Sequence, residues 1–126
     1  MDLTNSILED VRIAVGLTKD TVDFDTDLLI HINSAIGELR QNGVGIPITV
    51  TDVSKTWGDL QDPSREDANE YFQMVPLFIT LSTKQIFDPP PPSTIEYYSS
   101  NISRLLWRLK IAYEDYTTTT TTTVLY

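Results

Sequence analysis

Phe87-Asp88-Pro89-Pro90-Pro91-Pro92-Ser93 divides the C-terminal half of the chain into two amphipathic segments. Proline lacks the backbone N–H and clashes with the preceding turn, so four in succession end a helix. Ser93-Thr94-Ile95-Glu96 follows at once, with the spacing of a capping box that starts another. Asp88, Pro89, Pro90, Pro91 and Pro92 are therefore expected to form a stiff elbow between two helices. Nothing in this elbow can perform chemistry; it can only hold an angle.

Upstream, Tyr71, Phe72, Val75, Phe78, Ile79 and Ile86 recur at helical spacing and predict a third helix from Asp62 to about Phe87. Asp62-Pro63 is its expected start, and Pro76 predicts a kink near Phe72. Downstream, Ile95, Tyr98, Ile102, Leu105, Leu106, Leu109, Ala112, Tyr113 and Tyr116 predict a long fourth helix. Two earlier helices are expected. One runs from Asn5 to Val15 and ends at Gly16; the other starts with Asp25-Thr26-Asp27 as its cap and stops at Gly43 and Gly45. The stretch from Val44 to Asp62 is β-branched and alternating, either a short extended segment or an ordered loop, with Trp57 and Leu60 as anchors on the core. The expected fold is all-α. It comprises a four-helix domain over residues 1–116, with a kinked third helix and a proline corner, and an extended threonine-rich tail over 117–126.

Composition narrows the function. The chain has 126 residues, enough for one core, and 40% hydrophobic residues argue against wholesale disorder. Without cysteine there are no disulfides, thiolate metal sites or cysteine nucleophiles. No apolar run is long enough for a membrane span, and the N-terminus does not read as a signal peptide, so a soluble protein made in the cytoplasm is expected. A net charge of −9 disfavours wrapping nucleic acid.

Catalytic and metal-binding patterns are absent as well. Asp23-Phe24-Asp25-Thr26-Asp27 imitates the start of a calcium loop, but Leu28 replaces the turn glycine and Ser34 the bidentate glutamate. Helix capping explains these carboxylates better. His31 has no neighbouring ligand type, and Gly43-Val44-Gly45 lacks the context of a phosphate loop. Glu66, Asp67 and Glu70 read as a first helical turn that compensates the dipole. No enzyme, cofactor or metal is expected.

What the chain does have is surplus apolar surface. Met74, Leu77 and Leu81 form a second stripe on the third helix, pointing away from Val75 and Ile79 at about 100° per residue. Trp107 and Ile111 do the same on the fourth helix. Either the third helix is buried all round, or these stripes pack on a neighbouring copy. Arg104 and Arg108, extended by Lys110, form a compact basic patch beside them. It is either a solvated face or a partner for acidic residues of a neighbouring subunit, such as Glu66 or Asp67.

The segment Val75 to Glu114, with Thr83-Lys84-Gln85-Ile86-Phe87-Asp88-Pro89-Pro90, the corner and Leu106-Trp107-Arg108-Leu109, resembles the head–tail connector (adaptor) proteins of tailed bacteriophages. Asp27 to Ile36 fits the same family's second helix, so the resemblance covers about residues 5 to 115. It implies a virion neck protein: a ring of identical subunits, twelve in number, beneath the portal. DNA would pass through without specific binding, and a stopper or tail-completion protein would attach below. On that reading Met74, Leu77, Leu81, Arg104, Trp107, Arg108 and Ile111 form the subunit interface. Thr117, Thr118, Thr119, Thr120, Thr121, Thr122, Thr123, Val124, Leu125 and Tyr126 would dock on the portal, adding as a strand to an exposed sheet edge. Two alternatives stay open: a different helical neck or tail-completion protein, and an acidic DNA mimic that occupies a nucleic-acid-binding protein. Mimicry calls for acids on one contiguous surface, whereas here they are spread through caps, connectors and helix starts.

Overall fold

In the computed structural model the backbone is described for residues 2–125 and side chains for residues 2–114, apart from 67 and 69. The architecture is all-α, with helices α1 (Ile7–Ala14), α2 (Asp25–Gln41), α3 (Met74–Phe87) and α4 (Ile95–Leu125), and two short 3-10 helices at Trp57–Leu60 and Glu66–Tyr71. Ile7, Leu8 and Val11 of α1 meet Leu28, Ile32, Ala35, Ile36 and Leu39 of α2 in one core. Phe72, Val75, Phe78 and Ile79 close it from α3, and Leu105, Leu109 and Tyr113 from α4.

Both early helices stop as the glycines require. Gly16 and Gly43 have φ of 94° and 79°, a region in which a side chain costs roughly 1–2 kcal/mol per residue. At each end the next two amides reach back into the helix. Gly16 donates to Ile13 and Leu17 to Arg12, at 3.1 and 2.9 Å. Gly43 donates to Arg40 and Val44 to Leu39, at 3.0 and 2.9 Å. The start of α2 departs from expectation: Phe24 occupies the cap position without a side-chain bond. Asp25 is diverted to Arg12, which is almost fully buried. Arg12 Nε donates to the Asp25 carboxylate at 2.9 Å, Nη2 donates to its other oxygen, and Nη1 donates to the Lys19 carbonyl. Asp25 raises the Arg12 pKa still further, while burial works in the opposite sense.

The stretch from Val44 to Asp62 is an ordered loop. The Asn33 side chain bonds both backbone groups of Val50, donating to its carbonyl at 2.9 Å and accepting from its amide at 2.8 Å. Trp57 is 0% exposed, and its indole N–H donates to Asp10 at 2.7 Å. Ile7 N–H donates to Lys55, and Gly58 N–H to Leu3, which lays the loop along the N-terminal strap. Trp57 and Leu60 are core anchors, as their sequence suggests.

Three expectations need correction. The kinked third helix is two elements, the 3-10 helix Glu66–Tyr71 and then α3. Pro76 lies in the first turn of α3, where a missing N–H leaves no helical bond unmade. The 100° count therefore does not carry across the break, and Tyr71 is exposed. Ile86 is exposed too, although Phe87 beside it packs against the core. Finally, α4 continues to Leu125 where an extended tail was expected. Threonine disfavours a helix by less than about 0.7 kcal/mol per residue, and neither glycine nor proline interrupts the run.

Replacing Asp25 with Asn should cost about 2 kcal/mol in urea unfolding, since it leaves the buried guanidinium without its counter-charge. Asn33→Ala should lower stability by about 1–2 kcal/mol and speed hydrogen exchange at Val50 first.

Candidate functional site

The groups most able to act on a partner lie along the seam between α3 and α4. On α3, Met74, Leu77 and Leu81 fall within about 60° of one another, on the side away from Val75 and Ile79. On α4, Leu105, Leu109 and Tyr113 turn inward and leave Arg104, Trp107, Arg108 and Ile111 outside. Two shallow hollows result. Tyr71, Met74, Trp107, Arg108, Ile111 and Ala112 line the first. Leu77, Leu81, Asn101, Arg104, Leu105 and Arg108 line the second. Arg108 belongs to both, so they form one continuous surface. All seven residues picked from the sequence as interface candidates are on it.

The seam is apolar in substance and basic at its edge. Trp107 is 60% exposed and Leu77 is 44% exposed, both within one contiguous surface of the kind that marks an interaction site. Lys110 Nζ stands 6.0 Å from the Trp107 ring centroid. Among the described residues, neither Arg104 nor Arg108 is paired with a carboxylate. Tyr71 is a wall of the first hollow that the periodicity missed; the proline five residues on, at Pro76, was the available signal of a break there.

A family model described as phage connector protein matches residues 7–116. The chain belongs to the phage connector protein family. That family is a structural one, and this connector is a component of the virion that associates with other phage structural proteins. No curated protein and no solved structure matches the chain.

The proline corner of the connector is fastened from both sides. Asp88 N–H donates to Lys84 at 2.8 Å, closing α3. Thr94 donates to the Pro91 carbonyl through its amide at 2.9 Å and its hydroxyl at 3.0 Å. Its own carbonyl takes the Tyr98 amide, so α4 restarts from Thr94, one residue later than the Ser93 capping box predicts. A strut unseen in the sequence, Gln85 Nε2 to Ser99 Oγ at 2.6 Å, ties α3 to α4 just beyond the corner. Burial, and then Asp88, push the Tyr98 hydroxyl pKa up.

The remaining candidates are quickly placed. Asp25 is occupied by Arg12, His31 is half-buried on α2, and no cluster of three metal-ligating side chains occurs among the described residues. No helix among them is long and apolar enough to cross a membrane. The docking residues assigned from Thr117 to Tyr126 have side chains outside those described.

The two tryptophans should separate cleanly in solution. Acrylamide should quench Trp107 and spare Trp57, so Trp107→Phe should leave a blue-shifted emission that resists quenching.

Proposed function

We propose that the connector assembles head to tail into a ring beneath the portal, with twelve copies as its family resemblance implies. The ring joins the capsid vertex to a stopper or tail-completion protein. The observation that carries this reading is the α3–α4 seam, where Met74, Leu77, Leu81, Trp107 and Ile111 form a continuous surface beside Arg104 and Arg108, neither of which has a carboxylate partner among the described residues. A closed ring requires such a heterologous contact, with unlike surfaces meeting at every joint. Trp and Arg are also the residue types in which binding energy concentrates.

Charge supports the conduit. At −9 per subunit a ring repels the phosphate backbone of the passing DNA rather than gripping it. The corner supports the geometry, because it fixes the angle between the two helices that build the seam. The C-terminal segment 117–126, uncharged and ending Val124-Leu125-Tyr126, is assigned to portal docking. The ordered loop from Val44 to Asp62 is assigned to the next ring.

Electron microscopy of the protein mixed with portal-bearing heads tests the reading: a ring of density beneath the portal is expected, and bare portals would overturn it. Truncation after Tyr116 should abolish attachment while leaving the helical content of the core intact. Replacing Pro89 to Pro92 with Gly-Ser residues should impair ring formation far more than it lowers the unfolding midpoint.

A further inference from the structure

A head-to-tail ring interface has two unlike sides, and the seam supplies only one. The structure carries a second exposed apolar surface where the α1–α2 connector meets the end of α3. Val22 is 59% exposed, Phe24 43% and Ile86 60%. Phe24 packs edge-on against Phe87, with ring centroids 5.4 Å apart, which joins the connector to α3. The connector is held in shape from beneath. Arg12 donates to the Lys19 carbonyl at 2.6 Å, the Thr18 and Thr21 hydroxyls bond each other at 2.7 Å, and Asp25 N–H donates to Val22 at 3.2 Å.

This second surface has the opposite charge. Asp20, Asp23 and Asp27 are exposed and interleave with Val22 and Phe24, while Lys19 is the connector's one cation. The seam instead presents Arg104 and Arg108, with Lys110 beside Trp107. Counting at about 100° per residue, Ile86 lies about 180° around α3 from Leu77. The two surfaces therefore look away from each other, as adjacent joints of a ring must. Of the two acids that the sequence suggested as partners, Glu66 and Asp67, Glu66 belongs to the 3-10 helix that packs on α4, the helix that carries the seam's own arginines.

We infer that Val22, Phe24 and Ile86 of one copy seat in the α3–α4 seam of the next, with Asp20, Asp23 and Asp27 facing Arg104 and Arg108. This rests on the ring reading and names the two halves of its joint. Apolar contact supplies the adhesion, and the charges set which face meets which. Self-association should accordingly weaken as salt rises.

The cysteine-free chain permits a direct test. Full-length Val22→Cys and Leu77→Cys variants, both at exposed positions, are mixed at millimolar concentration and low salt under mild oxidation. The mixture should give a covalent heterodimer, and each variant alone only background dimer. Adding R104E and R108E to the Leu77→Cys chain should remove the cross-link. Adding D20R, D23R and D27R to its Val22→Cys partner should restore it. Native mass spectrometry of the unaltered chain at that concentration separates the two ways to fail. Oligomers without the mixed cross-link, or with Leu77→Cys linking to itself, overturn this pairing and leave self-assembly standing. Variants that stay monomeric are mixed with portal-bearing heads, where a ring without the mixed cross-link overturns the pairing alone, and neither ring nor cross-link overturns both.

Discussion

The ion pair between Arg12 and Asp25 is the constraint from which much of the molecule follows. It sits where α1 ends and α2 begins, and it fixes three things at once. Asp25 is drawn away from capping its own helix, the Lys19 carbonyl is pinned, and the intervening connector is held over a buried guanidinium. A buried arginine is tolerated only when its donors are satisfied. The connector therefore has little conformational choice, and Val22 and Phe24 are displayed from a fixed platform. An ion pair made for folding thus also shapes a surface.

The long loop shows a related economy. Asn33 offers Val50 the pair of hydrogen bonds that a neighbouring strand would have given, and Trp57 fills the core while its N–H is answered by Asp10. One polar side chain per anchor suffices, because each satisfies backbone or indole groups that water can no longer reach. Beside this core, Met74 and Leu81 of the second α3 stripe pack against its edge and are half-buried, while Leu77 and Trp107 remain exposed. The seam is thus continuous with the core and opens to solvent at Leu77 and Trp107.

How much of this was legible in the sequence depended on the range of the physics involved. Gly16 and Gly43 ended their helices as expected, since a left-handed residue is a local requirement. The second stripes were legible because 3.6-residue periodicity is also local. The break ahead of Met74 was not, because Pro76 is equally compatible with a kink and with a first turn; only the packing of Phe72 and Ala68 decides. Likewise, Arg12 reads as an ordinary surface charge on an amphipathic helix. Its partner lies across a turn whose path the sequence does not specify. Gln85 and Ser99 become neighbours only once the corner has its angle.

The proline corner has a further property that its stiffness conceals. Pro89, Pro90, Pro91 and Pro92 each offer a carbonyl and no N–H, so four successive residues of the corner are acceptors alone. Thr94 already uses the Pro91 carbonyl. An exposed backbone edge normally invites another strand, because it presents donors and acceptors together. This one cannot complete such a ladder, so the corner is barred from backbone strand pairing. Whatever rests against it must bring its own donors.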